Sequence, residues 1–82
     1  MQKTLKSAEY ARLIALLVAA RHRANLNQQQ VAIRLGRPQS FVAKYEGGER
    51  RIDVLEFLAI AAALEADPLR LLSVFVAKGK RV

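Results

Sequence analysis

The sequence predicts an all-α domain of five short helices. Three observations carry that prediction. Apolar residues recur at three- and four-residue spacing in Tyr10, Leu13, Ile14 and Leu17, and again in Leu69, Leu72, Phe75 and Val76. Helix caps and breakers punctuate the chain at short intervals: Ser7, Asn27, Gly36, Pro38, Gly47-Gly48, Asp53 and Asp67-Pro68. Eighty-two residues leave room for one domain, with no internal repeat, long linker or low-complexity tract. The expected unit is a single domain over 1–82, with a core at about 9–76 and flexible basic ends at 1–6 and 78–82.

Ser7 is placed to cap the first helix, with Glu9 in its first turn, where a negative charge suits the helix dipole. The helix is expected to run to about Arg23. Arg21 continues its apolar face, an odd place for a charge. Burial there requires an acidic partner; the alternative is a side chain bending its head into water at the helix end. Asn27 and Gln30 form a capping box for the second helix, and Leu26 and Val31 are spaced as a hydrophobic staple. Val31, Ala32 and Leu35 make its inner face. Gly36 ends it, because a positive φ there meets no side-chain clash. Two turns do not persist alone, so this helix depends on tertiary packing.

Pro38 fits the first position of the third helix, where a missing N–H costs no hydrogen bond. Val42 and Tyr45 point inward, leaving Gln39, Ser40, Ala43 and Lys44 outward or at the edge. Phe41 either packs on the preceding helix or touches a thymine methyl or sugar; packing is favoured. Gly47-Gly48 stops this helix. Asp53 and Glu56 form a second capping box, flanked by Ile52 and Phe57 as a staple. Leu55, Leu58, Ile60, Ala61, Ala62 and Leu64 make a strongly apolar fourth helix. Asp67 caps the fifth, with Pro68 at its first position. Leu69, Leu72, Phe75 and Val76 form a stripe along it, open to two roles: a dimer interface, or closure of the core.

Composition excludes several functions. With no cysteine there is no disulfide framework and no thiolate metal site; a lone His22 makes no zinc site. No metal or other cofactor is expected. No P-loop or dinucleotide fingerprint is present. Ser40 has no evident base beside it, and the capping box already accounts for Asp53 with Glu56, so no enzyme activity is expected. The start of the chain lacks a secretory pattern, and its apolar runs are too short to span a bilayer. A soluble, cytoplasmic protein without membrane contact is expected.

The formal net charge is +7, from 14 Lys and Arg against 7 Asp and Glu. Such a charge draws polyanions. Its distribution is more telling: six of the seven acids lie from Glu46 to Asp67, so the second and third helices sit on the basic side. Two short helices hinged at Gly36 form a helix-turn-helix. An α-helix fits the major groove of DNA, where a glutamine amide pairs with adenine N6 and N7. Gln39 is therefore the leading candidate base reader, with Ser40 beside it and Lys44 one turn on. Gln28 and Gln29, at a helix N-terminus, are candidates for phosphate contact. So are Arg37, Arg50 and Arg51 at the ends of the third helix; Arg23 and Arg34 are weaker candidates. Glu46 sits at the inner end of the third helix, and pairing it with Arg21 would tie the first helix to the third.

The segments Leu26-Asn27-Gln28, Val31-Ala32, Leu35-Gly36, Pro38-Gln39-Ser40-Phe41-Val42, Lys44-Tyr45-Glu46 and Gly48-Glu49-Arg50-Arg51 resemble the Cro/C1-type (XRE family, lambda repressor-like) helix-turn-helix proteins. Ile60-Ala61 through Leu64 and the Asp67-Pro68 restart fit as well, so the resemblance covers about residues 9–76. It implies double-stranded DNA as partner, phosphate contact by Gln28, base reading by Gln39, Ser40 and Lys44, and an Arg21–Glu46 pair. One departure is Gly47, where several repressors of that family carry a phosphate-touching Asn. The expected function is sequence-specific transcriptional regulation, as a repressor acting as a homodimer on a palindromic operator. The alternative is an antitoxin-like or accessory protein-interaction module that keeps the fold, engages an unidentified protein partner and does not read DNA by itself.

Overall fold

The computed structural model describes residues 7–79. The expected basic arm 1–6 and residues 80–82 of the expected tail lie outside the described residues. Five helices follow in order: α1 Ala8–Arg23, α2 Gln28–Leu35, α3 Gln39–Glu46, α4 Val54–Ala63 and α5 Pro68–Gly79. Among the described residues there is no strand, and no helix is long and apolar enough to cross a membrane.

The helix starts follow local chemistry. Ser7 Oγ accepts from the Tyr10 N–H at 3.0 Å. Asn27 and Gln30 form a reciprocal capping box with both bonds at 2.8 Å, and Asp53 and Glu56 form another at 2.9 and 2.7 Å. Asp67 Oδ1 accepts from the Leu69 N–H at 3.0 Å, with Pro68 opening α5. Pro38 departs from expectation by one residue. With φ −65° and ψ 153° it is the N-cap of α3, not its first helical residue. Its carbonyl accepts the first bond, from the Phe41 N–H.

The helix ends share one device. In four places an N–H bonds back five residues to a carbonyl: Leu26 to Arg21, Arg37 to Ala32, Glu49 to Lys44 and Ala66 to Ala61. Each donor follows a residue with positive φ: Asn25 at 60°, Gly36 at 69°, Gly48 at 80° and Glu65 at 59°. These are Schellman turns, which satisfy the last carbonyls of a helix. Glycine makes the turn without side-chain strain at Gly36 and Gly48. Glu65 makes it against its intrinsic preference, held by Arg34, whose Nη1 donates to the Ala63 carbonyl at 2.7 Å and to Glu65 at 3.1 Å. Arg34 thus ties α2 to the end of α4.

The core joins Ile14 and Leu17 of α1, Val31 of α2, Val42 and Tyr45 of α3, Phe57 and Ile60 of α4, and Leu71 of α5. α2 packs on α3 and α4, while α1 contacts α3 and α5. The apolar character of α4 divides between two faces: Phe57, Ile60, Ala61 and Ala63 are buried, while Leu55 and Leu58 are exposed. α5 differs from a simple core-closing helix. Leu71 alone of its leucines is buried; Leu69, Leu72 and Val76 face solvent. Phe75 is half-buried beneath the Arg12 guanidinium, 4.5 Å from its ring centre. α5 also continues through Lys78 to Gly79, so those two residues are helical, not part of a tail.

Candidate nucleic-acid interface

α3 presents two opposite faces. Phe41, Val42 and Tyr45 are buried, and Gln39, Ser40, Ala43 and Lys44 are exposed. The outward residues fall at 39/43 and 40/44, the one-turn spacing that stacks side chains along a helix surface. Tyr45, fully buried, anchors the helix and makes an edge-to-face contact with Phe41 at 5.5 Å. Burial drives the Tyr45 phenol well above its ordinary pKa, so it stays neutral. Phe41 is 8% exposed, which settles its role as packing.

A chain of polar contacts runs from the interior to the outer face. Arg21 Nε donates to Glu46 Oε2 at 2.8 Å and its Nη2 to Oε1 at 3.1 Å. The two side chains are 12% and 7% exposed, so the pair is largely shielded from water. Arg21 Nη1 also donates to the Leu26 carbonyl at 2.9 Å, just before α2. Glu46 Oε1 accepts a further bond from Gln28 Nε2 at 2.8 Å. Gln28 Oε1, of the same side-chain amide, in turn faces Gln39 Nε2 at 3.5 Å, a long contact. One carboxylate thus fixes α1, α2 and α3 together, and Gln28 relays that order to Gln39.

A second cluster flanks the start and end of α3. Arg37 and Arg50 place their guanidiniums 4.4 and 4.8 Å from the Phe41 ring centre. Both turn to Glu56 on α4. Arg50 binds it bidentately at 3.0 and 2.9 Å, and Arg37 lies 3.6 Å away. The Arg50 hydrogen bonds, joined by the Asp53 backbone N–H, hold the Glu56 carboxyl down to about 2. The same hydrogen bonds, aided by the Glu56 charge, raise the Arg50 pKa. Arg51 lies over the Tyr10 ring at 4.8 Å, with a long 3.5 Å contact to Ser7 Oγ. The Tyr10 hydroxyl donates to the Arg50 carbonyl at 2.8 Å and so pins the loop after α3 to α1.

Residues 12–72 match the family described as a helix-turn-helix domain. A solved structure described as an XRE-family like protein from Pseudomonas syringae pv. tomato str. DC3000 is 45% identical, with a TM-score of 0.87 over 94% of each chain. This chain belongs to the XRE-type helix-turn-helix family. The restriction-modification controller protein C.AhdI from Aeromonas hydrophila is also similar, at 28% identity and TM-score 0.72 over 79% of this chain and 98% of that one. A point mutant of the restriction-modification controller protein C.Esp1396I shares the fold at 14% identity and TM-score 0.79, covering 88% of this chain and 91% of its own. No curated protein matches the sequence.

The chain therefore has the XRE-type architecture of a non-catalytic, DNA-binding regulator. Among the described residues, no cluster of His, Cys, Asp or Glu is arranged to hold a metal ion. The expected Arg21–Glu46 pair is formed. Gln39, Ser40 and Lys44 share the exposed face of α3, and Gln29 is exposed in the first turn of α2. Gln28 is half-buried as the bridge between Glu46 and Gln39, a tie that its position at a helix start does not reveal. Arg37 and Arg50 stand beside α3 but are engaged with Glu56. Sequence reasoning saw Glu56 only as a capping residue. The surplus of nearby arginines over acids was the available signal, since a first-turn carboxylate beside them is a natural counter-ion.

Proposed function

We propose that this protein is a cytoplasmic transcriptional repressor that binds a palindromic operator as a homodimer. The observation that carries the reading is the exposed Gln39-Ser40-Lys44 face of α3, held from behind by the shielded Arg21–Glu46–Gln28 network. A base-reading helix must be held rigidly, because bidentate recognition depends on amide position. Gln28 takes one N–H of the Gln39 amide. The second N–H and the carbonyl remain for adenine N7 and N6. Ser40 offers a hydroxyl at the next position, and Lys44 reaches a guanine edge or a phosphate. Gln29 and the remaining N–H of Gln28 face a phosphate at the start of α2. Arg37, Arg50 and Arg51 supply further phosphate contacts.

The homodimer reading rests on apolar exposure. Leu55 and Leu58 on α4 are 77% and 44% exposed, and Leu69, Leu72 and Val76 on α5 are 75%, 39% and 57% exposed. Each set recurs at helical spacing, and α4 touches α5. Exposed apolar stripes on two adjoining helices favour a partner. A second copy places two reading helices about one DNA turn apart, which matches a palindrome. Bound at a promoter, such a dimer represses by occlusion.

The test is selection of bound DNA from a random duplex pool, repeated at two salt concentrations. Recovery of a palindromic site is the expected result. Uniform, strongly salt-sensitive binding contradicts sequence reading and leaves only a basic protein on DNA. No binding at low salt leaves the protein-interaction module as the better reading.

A further inference from the structure

The cluster of Arg37, Arg50, Phe41 and Glu56 does more than support the loop. We infer that Glu56 is a specificity-setting residue of the DNA interface: it takes the place of a backbone phosphate for Arg37 and Arg50, and so withholds both guanidiniums from duplex that α3 does not fit. This inference rests on the DNA-reading function proposed above.

A guanidinium fork matches a carboxylate and a phosphate with the same geometry. Arg50 uses both of its terminal nitrogens on Glu56, at 3.0 and 2.9 Å, and Arg37 shares the same carboxylate at 3.6 Å. The Glu56 side chain is only 14% exposed, while those of Arg50 and Arg37 are 40% and 44% exposed. The cations are therefore reachable from outside, and the anion lies behind them. Glu56 cannot follow them outward, because its carboxylate also accepts the Asp53 N–H at 2.9 Å in the cap of α4. Two guanidiniums over one carboxylate present a net charge of +1 to an approaching duplex, where two free arginines would present +2.

Moving either arginine to a phosphate breaks the same contacts whatever the DNA sequence. The compensation differs. A duplex seated against Gln39 and Ser40 brings its backbone close enough for short, bidentate phosphate contacts. A mismatched duplex sits farther out, and its screened phosphates compete poorly with a fixed carboxylate. Glu56 thereby weakens loose binding more than seated binding, a penalty aimed at the wrong partner. It keeps its charge far below neutral pH, so the effect operates throughout the physiological range.

The test compares the full chain with its Glu56→Gln variant on random-sequence duplex and on the site recovered by selection. Glutamine keeps the capping geometry and removes the charge. Random-duplex affinity is expected to rise about two- to fivefold, the scale of partly exposed ion pairs, with a smaller rise on the selected site. The salt dependence on random duplex should steepen by about one phosphate contact. Unchanged or weaker random-duplex binding by a folded variant overturns the inference. A second measurement needs no variant: the guanidinium N–H signals of Arg37 and Arg50 are followed by NMR in the wild-type chain. They should hold their free-protein positions with random duplex and move with the selected site. Equal movement with both, or none with either, overturns it. Absence of any DNA binding by the wild-type chain at low salt instead refutes the DNA reading, and the role of Glu56 falls with it.

Discussion

Replacing Glu46 by glutamine removes one charge and almost no volume, yet it should be among the most destabilising single changes in the chain. Glu46 accepts two bonds from Arg21 and one from Gln28, all between 2.8 and 3.1 Å. An amide has one carbonyl for these three donors. If its oxygen faces Arg21 Nη2 and Gln28, its NH2 meets Arg21 Nε–H; the reverse orientation loses two bonds. In either case Arg21 keeps its charge at 12% exposure with one bond to the amide oxygen and one to the Leu26 carbonyl, and loses its bidentate carboxylate partner. Breaking a fully buried pair costs about 3–5 kcal/mol; the residual exposure and the retained Leu26 bond bring the expectation to about 2–3 kcal/mol. For a domain of this size that corresponds to a fall in Tm of roughly 10–20 °C. Urea unfolding at neutral pH, read by circular dichroism, measures it. The double variant Arg21→Met/Glu46→Leu should recover most of the loss, because apolar residues of similar volume replace the pair without leaving a buried charge. A loss below about 0.5 kcal/mol for Glu46→Gln, the scale of an ordinary exposed pair, refutes the reasoning. So does a double variant no more stable than the single one.

Other outcomes follow from the helix ends, the acid limb and the apolar face. Gly36→Ala should cost about 1 kcal/mol from its φ of 69° alone, since no atom crowds the site; Glu65→Gly, at φ 59°, should gain up to about 1 kcal/mol despite losing an exposed ion pair. Opposite signs in thermal unfolding contradict the left-handed assignments. The Glu56 pKa is lowered from 4.5 to about 2, so its stabilisation is present above pH 4.5 and is lost as the pH falls toward 2. Glu56→Gln should flatten stability against pH in that window, and an unchanged acid limb in urea titrations counts against the pairing. Leu69→Lys combined with Leu72→Glu should convert a dimer to a folded monomer by sedimentation; a wild-type chain that stays monomeric at high concentration contradicts the α4–α5 interface.

Most of the helical frame was legible because its signals are local. Asn27 with Gln30 and Asp53 with Glu56 specify helix starts within four residues, and both boxes form. Gly36 marks a stop by backbone freedom alone. Arg21 could be matched to Glu46 across the chain because a charge on an otherwise apolar face demands a partner. Less local features were harder to see. Asn25 and Glu65 adopt the same left-handed turn as Gly36 and Gly48; asparagine takes that conformation more readily than most residues, but nothing in the Glu65 side chain announces it. The apolar spacing of α4 and α5 did not say which leucines lie inside: Leu69 stood open between an interface and the core, and the structure leaves both it and Leu55 exposed. Gln28 and Arg50 each read as a free polar contact. Gln28 meets Glu46 only because α2 crosses α3, and Arg50 meets Glu56 only because the loop after α3 folds back beside α4. The outward face of α3 was legible because it is what remains once Val42 and Tyr45 are assigned inward; the partners that restrain its neighbours were not.

The account stands most directly on Gln39 as a base reader. Its measurement is the base-preference profile of the Gln39→Ala variant against wild type, both selected from the same random duplex pool at the same salt. The account predicts that preference relaxes at one base pair in each half-site, with an adenine requirement lost there and the other positions retained. A profile identical to wild type, or a uniform loss at every position, would contradict it.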